Sequence, residues 1–255
     1  MIKRYKTCEL LSVLVLLLVI AQPALAQAPS TQERAILKPG SVDTRIAVTN
    51  TYLYPASTVA RLVTTFPNGS QAVGSGAFVG PNRVVTAGHM VYDRAAGGYA
   101  KAIEVIPGYA NGSAPFGRTR STYTSTTTGY YESGDPNADF GMLVTADALG
   151  WATGWLGMKA TDLWDLGAVV LFGYPNDLGR TRTMYVAGGS AQWETGQNWW
   201  QTTNRLQYEF WTDDGMSGGP LVNYSFYVVG IHTGGNNKHN YAVGIAAGYL
   251  SWTFK

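Results

Sequence analysis

The chain holds three histidines, His89, His232 and His239, and one cysteine, Cys8. That scarcity narrows any search for a general base. His89 follows Arg83-Val84-Val85-Thr86-Ala87-Gly88, an apolar run that ends in small residues and then presents an imidazole. An imidazole with an unperturbed pKa of about 6.5 suits proton transfer near neutrality. Small neighbours leave room for other groups to pack against the ring. Ser217 lies in Asp214-Gly215-Met216-Ser217-Gly218-Gly219-Pro220-Leu221. A serine hydroxyl is a weak nucleophile and needs an adjacent base. The flanking glycines let the backbone turn sharply, so that the N–H groups of Gly215 and Ser217 can form an oxyanion hole. One such donor is worth about 3–4 kcal/mol of transition-state stabilisation. Asp139 heads the apolar run Phe140-Gly141-Met142-Leu143-Val144. Its carboxylate would fix the tautomer of His89 and stabilise the imidazolium. Taken singly, each has an ordinary reading: a core histidine, a glycine-rich turn, a strand cap. Asp135, between Gly134 and Pro136, reads as a turn residue, and Asp93 is close to His89 in sequence.

Chain order discriminates among the folds that carry such a constellation. Gly215-Met216-Ser217-Gly218-Gly219 fits the G-x-S-x-G nucleophile elbow, but that fold needs an acid and a histidine after the serine. No Asp or Glu follows Ser217. The subtilisin order needs an Asp before the His. Only Asp43 lies there, without an α/β pattern around it. The order His89, Asp139, Ser217 is that of the two-barrel serine proteases.

The elements that must position these residues read as short strands. Val59 to Thr65, Gly76 to Val79, Arg83 to Val85 and Ile103 to Ile106 are rich in Val, Ile and Thr and separated by turn residues. Val169 to Gly173, Thr183 to Val186, Leu206 to Phe210, Leu221 to Val222, Tyr227 to Ile231 and Tyr241 to Ile245 continue the pattern. Asn111 to Asp135 reads as surface loops joined by one or two short strands. Only Ala246 to Phe254 reads as a short helix. Many short strands of this kind imply barrels or a sandwich, with a boundary near Thr153 to Leu163.

The first residues stand apart. Lys3, Arg4 and Lys6 make a basic start, Leu10 to Ile20 is an apolar run, and Ala24-Leu25-Ala26 offers a cleavage site. This is a signal-peptide layout over 1–26, and its apolar run is shorter than the roughly 18 residues that spanning requires. Cleavage after Ala26 removes Cys8, so the mature chain has no disulfide. It also removes Lys3, Arg4, Lys6 and Glu9, leaving 15 of the 18 basic and 15 of the 16 acidic residues. A near-neutral chain without a basic stripe gives no support for nucleic-acid binding. No later apolar run is long enough to span a bilayer, and no carboxylate-rich loop marks a metal site. The expected protein is a secreted monomer, extracellular or periplasmic, that needs no metal or cofactor and has protein or peptide substrates as partners.

Val85-Thr86-Ala87-Gly88-His89, Asp139-Phe140-Gly141, Gly173-Tyr174-Pro175 and Gly215-Met216-Ser217-Gly218-Gly219-Pro220 together resemble the chymotrypsin-like superfamily. Within it they resemble the bacterial glutamyl endopeptidases. The resemblance runs from about Ile36 to the C-terminus and implies an all-β fold of two antiparallel six-stranded β-barrels with a short C-terminal helix. It places a short propeptide at 27–35, an N-terminal barrel at 36–157 and a C-terminal barrel with its helix at 158–255. It further implies a zymogen processed before Ala35 or Ile36. Met90 stands where many relatives carry a disulfide-forming cysteine. By the same resemblance, Thr212, five residues before Ser217, and His232 line the S1 pocket. Thr233 and Gly234 present backbone groups to an extended substrate. A hydroxyl and an imidazole can both donate to a carboxylate, which implies cleavage after Glu, then Asp. Trp211, six residues before Ser217, argues against a trypsin-like pocket. Two other readings stay open: a protease of the same fold with another specificity, and a non-catalytic binding protein.

Overall fold

The computed structural model describes residues 42–160, 166–178, 181–195, 202–236 and 239–253. The expected signal peptide and propeptide lie outside the described residues. In chain order the strands are β1 (Ile46–Ala47), β2 (Val59–Thr65), β3 (Gln71–Gly80), β4 (Arg83–Thr86), β5 (Tyr92–Asp93), β6 (Gly98–Tyr99), β7 (Ala102–Pro107), β8 (Thr119–Thr126) and β9 (Gly141–Thr145). They continue with β10 (Gly157–Met158), β11 (Ala168–Gly173), β12 (Tyr185–Thr195), β13 (Thr202–Tyr208), β14 (Pro220–Asn223), β15 (Tyr227–Gly235) and β16 (Asn240–Gly244).

Two closed six-stranded antiparallel barrels result. The first runs β2-β3-β4-β9-β8-β7 and closes where β7 pairs β2. The second runs β12-β11-β14-β15-β16-β13 and closes where β13 pairs β12. Closure removes the open edges that would otherwise pair with another chain. Two short strands join the second barrel from outside: β1 pairs β12, and β10 pairs β15 in parallel. The chain before the first barrel is therefore strapped to the second.

The alternation of side chains that marks strands in the sequence also fills the barrels. Along β2 the buried and half-buried positions alternate from Leu62 to Thr65. Leu62, Phe78, Val85, Ile103, Ile106 and Leu143 fill the first barrel and are fully buried. Their apolar cluster continues into Phe172, Tyr174, Met184 and Ile231 from the second barrel. A separate cluster around Leu171, Leu206, Met216, Leu221 and Val229 packs the second barrel.

Three departures from the sequence reading have physical causes. In the polar stretch Asn111 to Asp135, where one or two short strands were expected, the strand is the longer eight-residue β8, most of whose Ser, Thr and Tyr side chains are half-buried or exposed. The strand expected over Thr183 to Val186 starts at Tyr185 and runs on to Thr195. Gly188 and Gly189 carry no side chains to signal that continuation. Helical turns also occur outside the C-terminus, at Gly88–Val91, Thr128–Ser133 and Gly150–Thr153, besides the expected helix at Ala247–Thr253. In Thr128–Ser133, Thr127 Oγ1 accepts the Tyr130 N–H at 3.3 Å, and Gly134 ends the helix in the left-handed region. Among the described residues no helix is long and apolar enough to cross a membrane.

The barrels meet along a seam at Ser75 of β3. Its N–H donates to the Ser217 carbonyl at 2.7 Å, and its hydroxyl donates to the Gly215 carbonyl at 2.8 Å. The same hydroxyl accepts the Tyr174 N–H at 3.0 Å. A Cβ at Gly218 would fall 2.1 Å from the Ser75 carbonyl and from Thr86 Oγ1, and φ there is +84°. Gly69 has a similar φ of +88° with nothing within 4 Å. Gly69→Ala is expected to cost the left-handed strain alone, about 1–2 kcal/mol. Gly218→Ala should lower the urea-unfolding midpoint clearly further, because the seam must open. Equal losses in the two variants would show that the seam tolerates a methyl group.

Candidate active site

The register of the first barrel brings His89 and Asp139 together. β4 and β9 pair antiparallel with Thr86 opposite Gly141. His89, three residues past Thr86, and Asp139, two before Gly141, therefore overhang the same end of the barrel. His89 then sits in the helical turn Gly88–Val91, which keeps its backbone near the strand end. The contact is double. Asp139 Oδ1 accepts the His89 N–H at 2.8 Å, and Asp139 Oδ2 lies 2.8 Å from His89 Nδ1. An ionised carboxylate only accepts. Nδ1 therefore carries a proton towards Asp139, and in the neutral ring Nε2 is left with a lone pair.

Gly88 makes this approach possible. A Cβ there would lie 2.6 Å from Thr126 Oγ1, 2.9 Å from Asp139 Oδ1 and 2.9 Å from a Tyr130 ring carbon. The small residues before His89 are thus required by the carboxylate that packs over them. The other two acids are spent on turns. Asp135 Oδ1 accepts from the backbone N–H and the side chain of Asn137, and Asp93 Oδ1 from the N–H groups of Ala95 and Ala96.

Burial of the His89 ring works against its charged form. The Asp139 carboxylate, its hydrogen bond and the more distant Asp93 outweigh that, and hold the imidazole pKa above its ordinary value. Burial, followed by the charges of Asp139 and Asp93, pushes the neighbouring Tyr130 hydroxyl far up, so it stays protonated.

Ser217 comes from the second barrel and lies against the end of the first. Its carbonyl is fixed by Ser75 as described. The next residue, Gly218, packs so closely on β4 that a Cβ would lie 3.1 Å from the Ala87 nitrogen, two residues before His89. On its other side the serine loop is tied to β15: the Gly218 N–H donates to the His232 carbonyl at 2.7 Å, and the His232 N–H to the Gly219 carbonyl at 2.9 Å. Gly215 has a φ of +90°, and a Cβ there would lie 2.4 Å from the Tyr174 carbonyl. Among the described residues, the N–H groups of Gly215 and Ser217 donate no hydrogen bond. That is the state an oxyanion hole requires of its donors.

His232 is buried, and its Nδ1 lies 2.5 Å from the Tyr208 hydroxyl and 3.1 Å from the Tyr241 carbonyl. Burial keeps the Tyr208 phenol protonated by pushing its pKa well up. It can therefore donate to a neutral Nδ1, which leaves the ring proton on Nε2. Alternatively, Nδ1–H donates to the Tyr241 carbonyl. Thr212 Oγ1 donates to Asn240 Oδ1 at 2.8 Å, and Asn240 Nδ2 donates to the Phe210 carbonyl at 2.7 Å. The Phe210 bond fixes the amide orientation, so the single Thr212 proton points at Asn240. To donate to a carboxylate, the Thr212 hydroxyl must turn away from Asn240. Thr233 and Gly234 are half-buried and lie past Ile231, where pairing of β15 with β14 ends. A bulge between His232 and Gly234 takes up Thr233, and Gly234 has a φ of +146°.

Four residues of this region escaped the sequence reading: Ser75, Tyr208, Asn240 and Tyr241. They act through the backbone or through other side chains, and none lies in a motif. Among the described residues no group of three or more His, Cys, Asp or Glu side chains converges as a metal site.

A trypsin-like peptidase domain model matches residues 74–231. The chain is 33% identical over 187 residues to the glutamyl endopeptidase of Bacillus licheniformis, covering 72% of this chain and 54% of that protein. It is 30% identical over 219 residues to the extracellular metalloprotease of Bacillus subtilis, covering 80% of this chain and 66% of that one. The chain thus spans about half to two thirds of the length of these relatives. Among solved structures, a Glu endopeptidase in complex with MPD superposes with a TM-score of 0.73 at 25% identity, covering 83% of this chain and 95% of that one. With its two barrels and a matched span that includes His89, Asp139 and Ser217, the chain belongs to the trypsin-like peptidase family.

Proposed function

We propose that this chain is a secreted serine endopeptidase that acts as a monomer on proteins or peptides and cleaves after Glu, then Asp. The observation that carries the reading is the two-point contact of Asp139 with His89 at the barrel end against which the Ser217 loop is sealed.

In this mechanism His89 Nε2 takes the Ser217 proton as Oγ attacks the scissile carbonyl. The imidazolium that forms is stabilised by Asp139. The carbonyl oxygen gains charge and accepts from the N–H groups of Gly215 and Ser217. Collapse breaks the C–N bond, with the His89 proton passing to the leaving amine, and leaves an acyl group on Ser217. Water, deprotonated by the same Nε2, then releases the acid and restores the serine. The substrate chain lies as an added strand along Thr233 and Gly234. At S1, His232 with a proton on Nε2 donates to the Glu carboxylate, and Tyr208 supports that tautomer from the opposite ring nitrogen. Thr212 contributes after turning from Asn240. Export is supported by the signal-peptide layout and by a relative named as extracellular.

A fluorophosphonate probe is expected to label the mature protein on Ser217, and Ser217→Ala should abolish labelling. A wild type that stays unlabelled would mark a non-catalytic protein on this fold. In a peptide library, cleavage should concentrate after Glu. His232→Leu should lower kcat/KM for Glu substrates by about 10²-fold or more, since a buried carboxylate then loses its charge-assisted partner, while probe labelling persists. Dominant cleavage after Lys, Arg or aromatic residues would sink the Glu assignment.

The raised His89 pKa also has a sign that can be checked. The ring gains its proton more readily folded than unfolded, so its contribution to stability is fully present below about pH 6.5. That contribution fades as pH rises through the folded-state value. NMR titration should place the His89 ring above 6.5, and Asp139→Asn should bring it down. A His89 ring that titrates at or below 6.5 in the wild type would contradict the charge balance described.

A further inference from the structure

The turn that carries Gly215 is held from outside the two barrels. Arg45 lies just before β1, and its guanidinium is fully buried. Its Nη1 and Nη2 donate to the two oxygens of Asp177 at 2.8 and 2.6 Å. Asp43 accepts from Nε at 3.0 Å and from Nη2 at 2.8 Å, and so aims the fork. The guanidinium also lies 5.7 Å from the Trp211 ring. Asp177 in turn sits on the serine loop. Asp213 Oδ2 accepts the N–H groups of Asp177 at 2.9 Å and Asn176 at 3.1 Å, and the Asp214 carbonyl accepts the Asn176 N–H at 2.7 Å. The Asp213 carbonyl accepts the Met216 N–H at 3.0 Å, which shapes the turn around Gly215.

The charges explain why a cation is needed there. Asp43, Asp177, Asp213 and Asp214 crowd around the two turns. Burial pushes the Asp213 carboxyl up, a backbone bond from Asp177 pulls it down, the charges of Asp177 and Asp214 push it up again, and Arg45 opposes them. Without Arg45 the repulsion between Asp177 and Asp213 is unopposed, and the three hydrogen bonds that hold the 176–177 backbone on Asp213 and Asp214 must carry it alone. The residue directly before the nucleophile is Met216, fully buried and without charge, so it cannot anchor the turn by an ion pair.

We propose that Arg45 is a positioning residue that clamps the oxyanion turn in its working shape through Asp177 and Asp213, so that the segment before the first barrel sets the catalytic competence of Ser217. This rests on the protease reading above and adds to it a positioning role for the Asp43–Arg45 segment.

The test compares Arg45→Ala, Arg45→Lys and Asp177→Asn with the wild type. Three readouts are used: kcat and KM on a Glu-containing peptide, inhibition by the matching peptide aldehyde, and amide exchange at Asn176, Asp177 and Met216, whose N–H groups are hydrogen-bonded across the two turns. An aldehyde forms a hemiacetal whose oxygen occupies the oxyanion hole, whereas a product peptide does not. Expected for Arg45→Ala and Asp177→Asn are a fall in kcat of about 10²-fold, comparable with losing one oxyanion donor, and KM within about threefold. Aldehyde affinity should fall by a similar factor, product affinity should not, and the Asn176, Asp177 and Met216 amides should exchange faster. Arg45→Lys keeps the charge but not the fork, and should recover part of kcat. Should Arg45→Ala fail to fold, the isosteric Asp177→Asn decides alone. Variants with a lowered unfolding midpoint but wild-type kcat, aldehyde affinity and exchange would overturn the proposal and leave Arg45 a structural strap. A wild type that neither labels nor hydrolyses overturns the protease reading instead, and exchange at the turn still judges the clamp.

Discussion

Everything at the candidate site depends on how Ser75 stitches the second barrel to the first. A nucleophile and a base on separate barrels are useful only if the barrels cannot slide past each other. Ser75 binds the Ser217 carbonyl with its N–H, the Gly215 carbonyl with its hydroxyl, and the Tyr174 N–H with the same hydroxyl oxygen. Its own carbonyl accepts the Thr86 hydroxyl from the strand that leads to His89. One fully buried serine thus references both sides of the reaction to a common point. The missing Cβ atoms at Gly218, Gly215 and Gly88 serve the same end, since each lets a backbone or carboxylate oxygen come closer than a side chain would permit.

This explains what the sequence made legible. The residues that touch a reacting atom must be of particular types, and their close neighbours must be small. His89, Asp139 and Ser217 therefore stand in recognisable surroundings, and chain order separated this fold from two others. Strands with Val, Ile and Thr were legible because their inward side chains build the core. The continuation of β12 through Gly188 and Gly189 was not, because glycine gives no alternation. A strand was expected in the region of β8, but its length was obscured by its polar side chains.

The supporting residues were hidden for a different reason. Ser75 uses its backbone and a generic hydroxyl. Tyr208 acts on the ring nitrogen of His232 from 24 positions away, and Arg45 reaches Asp177 across 132. No local pattern encodes such pairs; they exist only once the barrels are closed. Thr212 shows the converse. Its position and hydroxyl marked it for S1, but an Asn240 amide fixed by the Phe210 carbonyl claims its proton. The residue type was legible in the sequence; the hydrogen bond it must give up to act at S1 was not.

The division of charge follows from the same geometry. Under the proposed mechanism and specificity, the site has three charges to stabilise: an imidazolium, a transient oxyanion and a substrate carboxylate. Asp139 answers the first with a full charge, because the imidazolium is a full charge. The second is answered by two backbone N–H groups, whose dipoles need no counter-ion and do not repel His89 when it is protonated. For the third, a buried arginine at S1 would sit near that imidazolium and oppose its formation. Under the proposed specificity, His232 in the tautomer that accepts from Tyr208 would offer Nε2–H to that carboxylate. Arg45, a fully buried cation, is instead held between the carboxylates of Asp43 and Asp177. There its charge is spent on Asp43 and Asp177, and under the proposed clamp its contribution to Ser217 is one of position rather than field.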